Sequence, residues 1–161
     1  MSVLIPMSGA YFEKFAQQAI DSYAQQNVAS GRWPAESALE LSRAEHGKLL
    51  PAGRATTDNH LFEIQDPKTG TPVGFLWLGV QSKNGTPTGF VFNIEVEREH
   101  RRMGYARRAL DALEPVARGL GLTAIGLHVF ACNDAARALY QALGYEVNSL
   151  NMRKELHRDP G

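Results

Sequence analysis

The chain has a single cysteine, Cys132, among its 161 residues. One thiol closes no internal disulfide and builds no cysteine-based zinc site, and no metal is expected. It also fits a reducing compartment, so a cytoplasmic location is the expectation. Neither sign of charge is in excess: 17 Lys and Arg balance 17 Asp and Glu. No broad polyanion-binding surface follows from that balance, and nucleic acid is not an expected partner. Long apolar runs are missing too. The opening Val3-Leu4-Ile5 is cut short by Pro6, too brief for a signal peptide, and nothing approaches membrane-spanning length, so no membrane partner is expected. Without a secretion signal, Asn84-Gly85-Thr86 reads as a turn and not as a glycosylation acceptor. Repeats and low-complexity stretches are absent. So are the two familiar phosphate-binding patterns, Gly-x4-Gly-Lys-Ser/Thr and Gly-x-Gly-x-x-Gly.

What is present describes one domain, residues 1–161, with 43% hydrophobic residues for a core. Val3–Pro6 reads as a short strand. Ser8–Ala29 carries Phe12, Phe15, Ala16, Ala19 and Tyr23 at helical spacing. Gly31-Arg32-Trp33-Pro34 interrupts it, and Pro34 suits the first turn of a second helix running to about Leu50. Leu61–Gln65, Val73–Val80 and Gly89–Val96 read as strands, the last two joined through the hairpin signal Asn84-Gly85. A helix with Ala106, Leu110, Leu113, Ala117 and Leu120 on one face follows, and Pro115 predicts a kink or an early end there. Leu122–Ala131 reads as a buried strand, with Ile125, Leu127 and Val129 alternating. The next helix has Asn133 as its cap and Gly144 as its stop, and Tyr145–Lys154 reads as a last strand. The order β-α-α-β-β-β-α-β-α-β gives an α/β fold, a mixed sheet with helices on both faces.

The stretch Arg101-Arg102-Met103-Gly104-Tyr105-Ala106 sits between the apolar strand Phe90–Val96 and the Ala106–Leu120 helix. Strand, short basic turn and helix aim backbone N–H groups and a helix N-terminus at one point, which is an anion site. Arg101, Arg102, Arg107 and Arg108 bias it toward phosphate.

Those six residues read Arg/Gln-x-x-Gly-x-Gly/Ala. This resembles the pyrophosphate-binding motif of the GCN5-related N-acetyltransferase (GNAT) superfamily. Asn133–Tyr145 is similar to a second signature of that superfamily: Asn after a strand, Tyr seven residues on, then Gly-Phe/Tyr. The resemblance is close over about residues 72–155 and otherwise a matter of layout. It implies a central mixed sheet of about six to seven strands. It also implies transfer of an acetyl group from acetyl-CoA to a primary amine of a small molecule or a peptide or protein, by direct attack in a ternary complex. Carried over residue by residue, the loop Arg101, Arg102, Met103, Gly104, Tyr105, Ala106 and Arg107 holds the pyrophosphate. The main chain of Ile94 and Val96 serves the acetyl and pantetheine groups, and Asn133 contacts the pantetheine. Tyr140 matches the general acid.

The base is left to two candidates. Family members often carry Glu or His where this chain has Phe90 and Phe92. N-terminal protein acetyltransferases often place it five residues before the Asn, which is His128. An ordinary imidazole, titrating near ~6.5, can take such a proton. Glu95, a charge in an otherwise apolar strand, ranks second. Trp33 is a candidate for the acceptor pocket, and equally a staple between the first two helices. Cys132 has no His or Asp partner evident in sequence and makes a poor nucleophile. A homodimer is left open. The rival reading is a non-catalytic acyl-CoA-binding sensor or regulatory module, which needs the loop but neither Tyr140 nor His128.

Overall fold

The structure is a computed structural model that describes residues 2–157. A five-stranded sheet runs in sequence order from β1 (Leu4–Pro6) through β2 (Asn59–Gln65), β3 (Pro72–Lys83) and β4 (Thr86–Val96) to β5 (Ile125–Leu127). The first four strands pair antiparallel, and β4 pairs parallel with β5. Helices α1 (Gly9–Ala29) and α2 (Ala38–Leu49) cover one face; α3 (Tyr105–Gly119) and α4 (Asp134–Ala142) cover the other. This is the mixed α/β architecture read from the sequence. Among the described residues no helix is long and apolar enough to cross a membrane.

Local chemistry explains the elements. Ser8 caps α1 by accepting from the Tyr11 N–H at 3.2 Å. Along β3, Phe75 and Trp77 point to Phe15 of α1, while Leu76 and Leu78 point to Leu110 and Leu113 of α3. Strict alternation therefore feeds two cores from one strand, and burial on both faces makes β3 apolar nearly throughout.

Four expectations are corrected. Helix α2 begins at Ala38 and not at Pro34, because the Arg32 and Trp33 N–H groups both turn back to the Asn27 carbonyl and Ser37 N–H closes a turn onto the Pro34 carbonyl. Helix α3 passes through Pro115 to Gly119, so the early end, one of the two alternatives expected there, does not occur. Asp111 and Pro115 are both exposed, so the proline lies on the outer side of the helix while Leu113 and Ala117 stay buried; Leu120 is 40% exposed and lies outside that face. The strand expected over Leu122–Ala131 shortens to Ile125–Leu127, because β4 turns away after Val91. The last strand, Tyr145–Lys154, is not formed: residues 146–157 are exposed and unpaired. Among the described residues the sheet thus has five strands, where six to seven were expected.

Candidate active site

The site begins with one extra residue. Trp77 of β3 faces Asn93 and Leu78 faces Val91, which leaves Phe92 without a partner, a bulge in β4. Gly79 makes room for it: a Cβ there would come within 2.3 Å of the Phe92 ring. The ring stacks on Trp77 with centroids 4.8 Å apart. A bulge bends its strand, and pairing between β4 and β5 accordingly stops at Val91 with Leu127. Beyond that point the two strands diverge, and Asn93–Val96 has a main-chain edge with no β5 partner. The resulting cleft is lined by Phe92, Asn93 and Ile94 from β4, His128 and Phe130 after β5, Asn133 and Tyr140 of the α4 region, and Gln26 of α1.

One end of this edge runs into the basic turn. Arg102 and Gly104 both lie in the left-handed region, at φ 63° and 81°. That pair of reversals curls the chain into the N-terminus of α3. No side chain caps the helix there, and its first turn carries no acidic residue. Its free N–H groups are therefore open to an anion. The side chains divide in two. Arg102, Met103, Arg107 and Arg108 are exposed. Arg101 instead donates from Nε to the Val96 carbonyl at 3.0 Å, pinning the loop to the end of β4. The Tyr105 ring is buried, and its hydroxyl donates to Asp66 Oδ2 at 3.0 Å. The Lys68 N–H, and then this phenol, hold the Asp66 carboxyl below the usual range. The Arg108 guanidinium lies 4.7 Å from the Tyr105 ring centroid. An uncapped helix start, two left-handed residues and exposed guanidinium groups fit a pyrophosphate.

At the other end lie the polar groups. Asn133 caps α4, its Oδ1 accepting from the Ala136 N–H at 3.2 Å. Gly144, at φ 93°, ends the helix, and the Tyr145 N–H returns to the Tyr140 carbonyl. Tyr140 is half-buried, and burial pushes its phenol above the ordinary value. Tyr145, 5.9 Å away between ring centroids, is pushed up to about 12, by burial first and then by Glu114 and Tyr140. His128 is exposed at the cleft, edge-on to Phe130 at 4.9 Å.

The structure therefore brings Ile94, His128, Asn133 and Tyr140 to one cleft. Glu95 lies elsewhere. It faces α1, where Ser22 Oγ donates to its Oε2 at 3.0 Å. Burial raises its carboxyl above the usual range, partly offset by Ser22 and by Arg101. Trp33 packs edge-on against Tyr23 of α1 at 5.4 Å, with Arg32 over its ring, and is not among the cleft residues. Cys132 is exposed. Asn93, a further candidate for the acceptor end, lines the cleft, and so do Gln26 of α1 and Phe92. Phe92 was not evident because a bulge leaves no mark in strict alternation.

The sequence pattern of the Acetyltransferase (GNAT) family matches residues 22–145. YdgE of Bacillus subtilis (strain 168), named an uncharacterized N-acetyltransferase, is 33% identical over 93% of this chain and 95% of its own length. YycN of the same organism, named likewise, is 32% identical over 96% of this chain and 98% of its own. The YycN crystal structure superposes with a TM-score of 0.90. The fold also matches a structure of AAC(6')-Iy in complex with the bisubstrate analog CoA-S-monomethyl-acetylneamine, at a TM-score of 0.63 and 17% identity over 96% of this chain and 97% of that one.

Proposed function

We infer the reaction from one premise: this chain belongs to the acetyltransferase (GNAT) family. It is an acetyl-CoA-dependent N-acetyltransferase. Its acceptor is a primary amine of a small molecule or of a peptide or protein, and transfer goes by direct attack in a ternary complex. The observation that carries this reading is the divergence of β4 and β5 after Val91, because His128, Asn133 and Tyr140 all line the gap it opens.

In this reading the pyrophosphate of the coenzyme lies on the Arg102–Arg107 turn, held by main-chain N–H groups at the start of α3 and by the exposed guanidinium groups. The unpaired edge of Ile94–Val96 supplies N–H donors along the pantetheine arm and toward the thioester carbonyl, where charge develops as the amine attacks. Asn133 adds a polar contact from its cap position. The amine must be neutral to attack. His128 takes its proton, directly or through one water, and exposure lets that proton pass on to solvent. The departing thiolate needs a proton in return. Tyr140 donates it, and the burial that raises its phenol keeps that proton in place at neutral pH. Every bond is then balanced: C–S breaks, C–N forms, one proton leaves the amine and one reaches sulfur.

A second reading of the base has its own support. Glu95 is a half-buried carboxyl with a raised pKa, on the strand that borders the cleft. It accepts from Ser22 and faces α1, so it would need a water to reach an amine in the gap.

The test is an acceptor panel of small amines, polyamines and peptides with free N-termini, incubated with acetyl-CoA and read by released thiol. Acceptor-dependent thiol release supports the reading. Tight acetyl-CoA binding with no release on any acceptor would instead favour a non-catalytic acyl-CoA-binding module.

A further inference from the structure

Residues that face each other across a strand pair point to one face of the sheet. Trp77 faces Asn93 and Gly79 faces Phe90, so Asn93 and Phe90 share the α1 face with Trp77. The Phe92 ring fills the space over Gly79 and stacks on Trp77, which puts it on that face too. The bulge therefore sets two consecutive side chains, Phe92 and Asn93, on one side, where strict alternation allows one. On the neighbouring strand Gly126 pairs with Phe90, and alternation carries the same face on to His128. Ile94, Val96, Ile125 and Leu127 turn the other way, toward the core under α3.

The α1 face of the gap is aromatic and almost without charge. Phe90 and Phe92 stand edge-on with centroids 5.0 Å apart, and His128 and Phe130 stand edge-on at 4.9 Å. One pair is on β4 and the other follows β5, and Phe92, His128 and Phe130 line the gap between them. Among the described residues no Lys, Arg, Asp or Glu lines the cleft. Glu95 is two residues past Asn93 on the same face, but its carboxyl is already held by Ser22. A second ammonium on an acceptor, or a carboxylate beside its amine, would lose water here and find no counter-charge. A flat uncharged ring would instead gain apolar burial and edge or face contacts.

Resting on the acetyltransferase reading above, we propose that the acceptor is a primary amine on an uncharged aromatic stem, its ring held between Phe92 and Phe130 and its nitrogen placed at His128 and Asn93. The Asn93 amide oxygen accepts one amine hydrogen and orients the lone pair toward the thioester. The only charge such an acceptor brings is its own ammonium. That charge is shed before attack, so nothing charged is left unpaired in the gap. The transfer is unchanged: C–S breaks, C–N forms, His128 takes the amine proton and Tyr140 gives one to sulfur.

Four amines test this with acetyl-CoA and the full chain, by thiol release, with kcat/KM referred to the neutral amine. Phenethylamine has the ring alone. 2-Cyclohexylethylamine has the bulk without flatness, phenylalanine adds a carboxylate to the same ring, and spermidine adds cations. Phenethylamine is expected to exceed 2-cyclohexylethylamine by roughly three- to tenfold. It should exceed phenylalanine and spermidine by at least roughly a hundredfold. Phe130→Leu keeps an apolar side chain at a half-buried position. It should raise KM for phenethylamine by roughly three- to tenfold and bring the two apolar amines level, with KM for acetyl-CoA and the melting temperature unchanged. Release that favours spermidine, phenylalanine or a free peptide N-terminus over phenethylamine overturns the aromatic stem and leaves acetyl transfer standing. Parental selectivity in a folded Phe130→Leu does the same. No release on any acceptor, with acetyl-CoA still bound in calorimetry, overturns the transferase reading itself and the stem with it.

Discussion

Replacing Tyr140 by Phe removes one oxygen and almost nothing else. The ring packs with Leu139 and Leu143 against the core formed by α3 and the sheet, and Phe keeps that contact. The hydroxyl makes no side-chain hydrogen bond among the described residues, so its loss should change stability by less than about 0.5 kcal/mol. Its effect on rate should be much larger. General-acid help is worth about 10²- to 10⁴-fold. A thiolate is a fairly good leaving group, since a thiol ionises near ~8.5, so the loss should fall toward the lower end, about 10- to 1,000-fold in kcat. Coenzyme affinity should stay within about twofold.

The pH dependence sharpens the test. Burial raises the Tyr140 phenol, so the working, protonated form persists to higher pH than an ordinary phenol allows. Any falling limb from this group should therefore lie above the ordinary phenol range and be absent around neutral pH. Tyr145 is the internal control, a second phenol close by, pushed up to about 12. Tyr145→Phe should leave kcat nearly unchanged. The assays are thiol release under single-turnover conditions, calorimetry with the coenzyme, and a melting curve. An unchanged single-turnover rate in Tyr140→Phe would reduce Tyr140 to packing. A rate loss that Tyr145→Phe reproduces would mean that neither hydroxyl is the specific donor.

Three further outcomes follow from the same structure. His128→Ala should slow turnover, while the exposed position keeps the melting temperature in place; an unchanged single-turnover rate moves the role to Glu95, water or an already neutral acceptor. Gly104→Ala forces a Cβ onto a residue at φ 81°, a strain of about 1–2 kcal/mol. The new atom would meet only the Arg108 guanidinium, at 3.5 Å, so strain and not collision should weaken coenzyme binding, by roughly 5- to 30-fold in calorimetry. Gly104→Glu should weaken it further by adding a negative charge, and equal affinity in all three proteins would remove the pyrophosphate from this turn. His46 is half-buried between Phe15 and Trp77, its Nε2 without a hydrogen-bond partner among the described residues, and burial lowers its pKa. The unfolded chain then takes up the proton first, so stability should fall as pH drops below about 6.5. His46→Gln should flatten that fall in melting curves taken from pH 8 to 5; an unchanged slope assigns the acid sensitivity elsewhere.

Much of the fold was legible because local signals agreed with burial. Ser8 and the Phe12, Phe15, Ala19 stripe marked α1 to within a residue. Asn84-Gly85 marked the hairpin, and Asn133 and Gly144 marked both ends of α4. The failures share a physical cause, which is that strands depend on partners. Leu122–Ala131 alternates well enough to be a strand, but it pairs only where β4 stays beside it. Tyr145–Lys154 has the composition of a strand but does not pair with the edge strand β5, and Arg153 instead reaches the Gly31 carbonyl at the end of α1. In the site, Asn133 was visible as a helix cap, and Tyr140 only through the resemblance of Asn133–Tyr145 to the family's second signature. Gln26 was not, because a glutamine on a long amphipathic helix looks like any solvated position until a cleft opens beside it. Trp33 was visible as a large aromatic in a loop, and it packs on Tyr23 of α1.

The bulge at Phe92 explains why the cleft and the core can share β4. A strand in mid-sheet normally gives every N–H and C=O to its neighbours and has none left for a ligand. Here β4 stays paired with β3 on both sides of the bulge as far as Val96, while its other edge is released after Val91. The extra residue also turns Phe92 onto Trp77, so the break in pairing is backed by aromatic packing and does not open the core. Ile94 and Val96 still pack against the α3 side, which is why they read as ordinary core residues in sequence. Their side chains hold the strand in place, and their main chain is what the gap exposes. A substitution such as Ile94→Val would therefore test packing alone. Probing the main-chain donors requires moving the bulge: Gly79→Ala, whose Cβ would collide with the Phe92 ring, is the change that would shift those N–H groups while leaving every cleft side chain chemically intact.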